Sequence, residues 1–298
     1  MGRGRPLAAV LLVLAGVRPS ATRAAEPPDV SLDPARVAWR ALYYTAHKMG
    51  ISASIAVRMG GPGVPEGRSG GGEAAVAGDG IVLESTTHLP GRVFLAREEV
   101  DPVQARALSI VDTETGAKNH RKTYTLTTRG FFLDLLEPAS RAQAAKPPER
   151  WTQATRSFTG YPRALPPAAP ITGPIGLLYA MSAAPLKAPG DAFTVHVLVQ
   201  TNVERVTVQV ESVETVALDF RETSGGVERA VVGPISALRL VVRSRPVDPA
   251  ATSAFRIFGL GGDVELLWDP ARHLPVEIAG SVRVLGRVKV HLASVTMR

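Results

Sequence analysis

The chain has 298 residues, 45% of them hydrophobic, no cysteine and a formal charge of +7. That composition is enough for the core of one large or two medium domains, and it excludes a disulfide scaffold, thiolate metal ligands and a cysteine nucleophile. The positive charge invites a nucleic-acid reading, which depends on where the charge sits.

Much of it sits at the start. Residues 1–24 have the form of a secretory signal, with Arg3 and Arg5 as a basic lead, an apolar run over 7–17, and Thr22-Arg23-Ala24 as a small-x-small cleavage site. A permanent membrane anchor needs about 20 apolar residues, and Arg18 interrupts the run too early. Cleavage near Ala24 takes away Arg3, Arg5, Arg18 and Arg23 and no acid, which lowers the formal charge to +3. The remaining basic residues are interspersed with acids, so no nucleic-acid partner is expected. With no cysteine to carry a lipid, the mature chain is expected to be soluble in the periplasm and not an integral membrane protein.

Residues 25–35 read as an extended lead and 36–298 as a single β-rich domain. Over 36–47, Val37, Trp39, Tyr43 and Thr45 follow period two, the pattern of a half-buried strand. Gly50 marks a turn, and 51–59 is its hairpin partner. The stretch 60–80 is Gly-rich and reads as a flexible loop. Strands are expected at 81–87, 93–97, 107–113 and 122–128, with a further apolar run at 131–136. Residues 138–172 form an Ala/Pro-rich crossing, within which 151–161 has no clear assignment.

Residues 173–184 are the one convincing helix. Pro174 suits its first turn, Ile175, Leu178, Tyr179 and Ser182 follow helical spacing, and Pro185 stops it. Strands follow at 193–200 and 203–216, where Val206, Val208 and Val210 share one face and Thr207, Gln209 and Glu211 the other. The stretch 235–244 repeats that alternation. A strand at 264–268 runs into Asp269-Pro270, a type I turn start. The chain ends in a hairpin of 274–284 and 288–296. Val282, Val284, Val288, Val290 and Leu292 give it an apolar face, and Arg283, Arg287, Lys289 and His291 a solvated one that reads as the guard of an exposed sheet edge.

Leu177-Leu178-Tyr179, Pro185-Leu186, Pro189-Gly190-Asp191, the strand pair 193–216, Trp268-Asp269 and Arg272-His273-Leu274-Pro275-Val276 stand in an order that resembles an exported bacterial family, the one called domain of unknown function 3108. Residues 43–57, with the Gly50 turn, resemble its first hairpin. Two departures are visible: Ser182 stands where the family often has a basic residue, and the turn after Trp268 is tighter. The resemblance implies the fold and the compartment; it implies no reaction.

There is no His-Glu-x-x-His pair and no phosphate-binding Gly-Lys loop, and Gly67-Arg68-Ser69-Gly70-Gly71, which has the Gly-x-Ser-x-Gly spacing, lies in the Gly-rich 60–80 stretch rather than between a strand pattern and a helix pattern. The six histidines are dispersed, so no metal or other cofactor is expected. Asp33, Asp101, Asp134 and Glu137 read as solvated acids, and Gly259–Asp263 as an inter-strand turn.

The expected fold is mainly β, a large curved antiparallel sheet or open barrel with one short packed helix. Its concave apolar face must be covered by the helix, by the rest of the sheet or by a ligand. Trp39, Tyr43, Tyr44, Tyr179 and Trp268 are the candidates to line an apolar pocket there, with ordinary core packing as the competing reading. The expected function is an envelope protein without recognisable catalysis that binds an apolar or lipid-like ligand. The alternatives are a scaffold that engages an envelope protein partner, and a polysaccharide or cell-wall hydrolase with unrecognised carboxylates. An integral barrel fits poorly, because Arg239, Arg243, Arg283, Arg287 and Lys289 would occupy its lipid face.

Overall fold

The computed structural model describes residues 31–61, 80–283 and 285–298. The expected signal segment and most of the 60–80 loop lie outside the described residues, as does Val284.

Seven strands follow in succession: β1 (Trp39–Lys48), β2 (Ile51–Gly60), β3 (Ile81–Leu89), β4 (Arg92–Asp101), β5 (Arg106–Gly116), β6 (His120–Leu126) and β7 (Gly130–Glu137). The short helix α1 (Arg141–Ala144) leads to β8 (Gln153–Gly160). The chain then forms β9 (Ile171–Thr172), the helix α2 (Pro174–Ala183), β10 (Ala192–Val199) and the long hairpin β11 (Asn202–Ser224) and β12 (Val227–Pro246). It ends with β13 (Arg256–Ile257), β14 (Leu260–Asp269), β15 (Leu274–Val282) and β16 (Gly286–Met297). All belong to one 16-stranded sheet, in which β8 through β1 run in reverse order to β16, which continues through β15, β14, β12, β11 and β10 to β9.

The contact between β1 and β16 joins the N-terminal and C-terminal strand groups into that one sheet. The pairing is antiparallel except where β9 meets β10 and where Arg221, Glu222 and Thr223 of β11 run parallel to Ser294, Val295 and Thr296 of β16. The second parallel pair closes the sheet on itself through β12, β14 and β15, so the molecule is ring-like without being a true barrel.

The sheet corrects several expectations. β16 pairs with β1 only from His291 onward, so His291 lies on a strand covered on both sides, while Arg287 and Lys289 lie where β15 is the only paired strand, as an edge guard would. A further edge is β8, formed from the unassigned stretch around 151–161, with its outward side chains exposed. There Phe158 packs on Phe132 and the Arg156 guanidinium lies 4.7 Å from the Phe132 ring, which shields part of an otherwise open edge. The lead also docks earlier than expected. Leu32 is buried, and the Asp33 N–H donates to the carbonyl of Ala183 at the end of α2.

The interior is occupied by α2. Every residue from Ile175 to Ala183 is buried, so the helix has no solvated face. Such a helix is stable only inside a core. It packs against β3, β4, β9, β10 and β13, and the core it joins includes Val206, Val208 and Val210 of β11 and Leu240 and Val242 of β12, the faces that period-two alternation assigns to the inside. Trp39 Nε1 donates to Ser182 Oγ at 2.9 Å, and that hydroxyl donates to Leu178 O at 3.1 Å, tying β1 to the helix.

Trp39 and Trp268 are both fully buried, but Trp268 Nε1 has no hydrogen-bond partner among the described residues. Trp39→Phe is therefore expected to cost about 1–2 kcal/mol more than Trp268→Phe, since both lose the same ring volume and only the first loses a bond. Urea denaturation of the two variants measures the difference; equal losses would contradict the assignment.

Candidate functional site

Three hairpin ends meet at one rim of the sheet. β1 and β2 are joined by Met49-Gly50, with Lys48 opposite Ile51. Both turn residues have positive φ, 52° for Met49 and 76° for Gly50, as a type I′ turn requires. β3 and β4 are joined by Pro90-Gly91, with Leu89 opposite Arg92 and Gly91 at φ 69°, which fits a type II turn. The start of β16 lies beside the end of β1.

A groove of about 980 Å³ opens there, lined by residues of all three ends. On its outer side the register places His88, Ser54, Thr45 and His291 in one row across β3, β2, β1 and β16. Its cationic side chains are Lys48, Arg287 and Lys289, and among the described residues no carboxylate lines it. Two acids stand behind it: Glu277 pairs with Lys289 at 2.8 Å and His291 at 3.3 Å, and Glu265 pairs with Arg287 at 2.8 Å. Lys48 instead donates to the backbone oxygen of Arg287, so no carboxylate neutralises it through that contact. His47 is engaged by Ser52 Oγ at 3.1 Å. Among the described residues no group of His, Asp and Glu could hold a metal ion.

A second polar centre is buried at the start of α2. The N-cap residue Gly173 offers no side chain, and Glu98 of β4 takes its place. The Ile175 N–H donates to Oε1 at 2.9 Å and the Gly176 N–H to Oε2 at 2.8 Å. The carboxylate thus satisfies two of the donors that a helix leaves open, at its positive end. The approach is so close that a Cβ on Gly176 would lie 1.9 Å from Thr172 Oγ1, and one on Gly173 would lie 2.3 Å from Glu98 Oε1.

Burial pushes Glu98 up to about 7; its two backbone bonds pull it down, and Asp112 nearby pushes it up further. Burial raises Asp112 to about 6, against the pull of Lys122. These are two neighbouring carboxyls of raised pKa, the pattern of an acid–base pair. They line neither the rim groove nor a smaller one of about 340 Å³ beside Arg40, Met59 and Arg298, and both oxygens of Glu98 are already held by the helix. The role of Glu98 is to hold α2 in place.

The five aromatics fall into two groups. Trp39, Tyr44, Tyr179 and Trp268 are buried in the core. The Tyr44 hydroxyl donates to Pro275 O and that of Tyr179 to Pro102 O, so each polar tip has a partner inside the fold. Tyr43 is 41% exposed and lines the rim groove, on the opposite side of the sheet from the other four. Its expected position with Trp39 is corrected by a bulge. β1 carries one extra residue between Trp39 and Ala41 against Met297 and Thr296, which reverses the alternation so that Leu42 and Tyr44 turn inward.

Of the four acids singled out, Asp101 accepts from the Val103 and Gln104 N–H groups and Asp134 pairs with Arg156. Neither belongs to the Glu98–Asp112 pair, which no spacing in the sequence connects. No family model matches the chain, and no curated protein or solved structure matches it either.

Proposed function

We propose that this is an exported, soluble, non-enzymatic module of the bacterial envelope that works through its outer surface. The observation that carries this reading is the burial of α2 from Ile175 to Ala183 in the core, against β3, β4, β9, β10 and β13. The concave face of the sheet is spent on core packing, and the larger groove lies at the rim. A hydrolase is poorly supported, since Glu98 is engaged by the helix and neither Glu98 nor Asp112 lines either groove.

A carrier that holds an apolar ligand inside the sheet would have to displace α2. Organic extraction of the natively purified mature chain, followed by mass spectrometry, separates the two. No stoichiometric lipid, and no thermal shift with added long-chain fatty acid, are expected. One lipid retained per chain would overturn the surface reading in favour of an interior site.

A further inference from the structure

We propose that the rim at Met49, Ile51 and Leu89 docks on an anionic lipid bilayer, with Lys48, Arg287 and Lys289 meeting the headgroups. This rests on the reading that the outer surface is the working one, and it names the partner.

The first observation is the placement of apolar side chains. Met49 is 79% exposed, Leu89 38% and Ile51 37%. They belong to two neighbouring hairpin ends, because β2 lies between β1 and β3 and pairs with both. Three apolar tips on adjacent turns form a patch that can enter the headgroup region without unfolding anything.

The second observation is strain at one tip. Met49 sits at φ 52° in the first central position of a type I′ turn, where Asn, Asp or Gly would be comfortable. A long apolar side chain is held there in an unfavourable backbone conformation and pointed at solvent. Folding gains nothing from that choice, and a surface contact does.

The third observation is charge. Among the described residues the groove beside the tips is lined by Lys48, Arg287 and Lys289 and by no carboxylate; Glu265 pairs with Arg287 and Glu277 with Lys289 from behind it, and Lys48 donates to a backbone oxygen instead. Cations next to exposed apolar tips are complementary to a bilayer that is negative at its surface and apolar beneath it. A soluble polyanion would use the cations and leave the tips idle; a neutral apolar partner would do the reverse.

The test is co-sedimentation of the mature chain with vesicles of pure phosphatidylcholine and with vesicles containing about 30% phosphatidylglycerol, at low salt. Binding to the anionic vesicles alone is expected. Lys48→Glu should weaken it at least about fivefold, the size of one lost lysine contact near a charged surface. Met49→Asn should weaken it as well while leaving the melting temperature unchanged or higher, because Asn suits the turn better. Dextran sulfate serves as the soluble polyanion. If it binds as tightly as the vesicles, and Met49→Asn changes neither, the docking proposal is overturned. Equal binding to both vesicle types, or to neither, also overturns it. Those outcomes leave the surface reading standing; transfer of labelled lipid from the vesicle into the protein would overturn that reading instead.

Discussion

Glu98→Ala is expected to destabilise the fold by about 3–5 kcal/mol, among the largest losses from any single truncation in this chain. The change strands the Ile175 and Gly176 N–H groups, which now donate to the two carboxylate oxygens in a buried site. Each buried donor left without an acceptor costs about 1–3 kcal/mol, and the emptied volume adds to the loss. Glu98→Gln keeps the shape and one acceptor, so it should cost less than the alanine.

The same residue gives stability a pH signature. Glu98 is raised to about 7 and Asp112 to about 6, in each case chiefly by burial. A carboxyl raised in the folded state binds a proton there at a pH where the unfolded chain has released it. Its contribution is therefore full below the unfolded value and declines as pH rises toward the folded one. For Glu98 the decline amounts to roughly 3 kcal/mol between about pH 4.5 and 7. His120 and His273, both lowered mainly by burial, work in the opposite direction over part of that range. The informative quantity is thus the wild type minus Glu98→Gln, which isolates the carboxyl. Chemical denaturation at about pH 5 and about pH 7.5 should show the wild type losing more stability with rising pH than the variant. Parallel profiles would contradict the role given to Glu98.

Arg272→Met is expected to cost about 3–5 kcal/mol, because it leaves the buried Asp269 carboxylate without its counter-charge and Glu222 with Arg229 alone. Arg272 sits in the turn between β14 and β15, donating to Glu222 Oε2 and to Asp269 Oδ2, each at 2.7 Å. The side chains of Glu222 and Asp269 are 3% and 2% exposed. Its guanidinium also lies 5.7 Å from the Phe220 ring. Burial alone would raise the Glu222 carboxyl, but the bonds from Arg272 and Arg229 outweigh it and hold the group below its usual value.

Glu222 lies in the segment of β11 that runs beside β16, so this network fastens the far end of the long hairpin where the ring closes. Loss of the guanidinium should raise amide exchange at residues 221–223 before it affects β1 and β2. Arg272→Lys should fall between wild type and methionine, since an ammonium cannot reproduce the fork that reaches two carboxylates. A methionine variant as stable as wild type, with unchanged exchange at those residues, would show that the ring closes without the network.

The alternation of Val206, Val208 and Val210, and the Pro174 and Pro185 bounds of α2, are local signals, and the structure bears them out. Strand neighbours are another matter. The solvated row Arg287, Lys289 and His291 looks the same on an edge strand as on a central strand with one wet face; pairing with β1 reaches His291, whereas Arg287 and Lys289 pair with β15 alone. Period two fails where a bulge inserts one residue, which is why Tyr43 faces away from Trp39. Glu98 meets the helix across 77 positions of sequence, and its neighbours in β4 give no hint of a helix N-terminus nearby. The rim groove combines residues from the ends of three hairpins, a juxtaposition set by sheet order and invisible to any spacing rule. The exposed Met49 beside Gly50 was the one local sign available, a large apolar residue where a turn favours Asn or Asp.

The central claim is that α2 is permanent core and that the rim is the working surface. Amide hydrogen exchange of the protein, with and without anionic vesicles, tests it most directly. The account predicts that amides from Leu177 to Ala183 exchange among the slowest in the molecule under both conditions, while those at Met49–Ile51 and Leu89–Gly91 slow when vesicles are added. Fast exchange across α2, or exchange there that accelerates with lipid while the rim is unchanged, would mean that the helix vacates the interior for a ligand, and would contradict it.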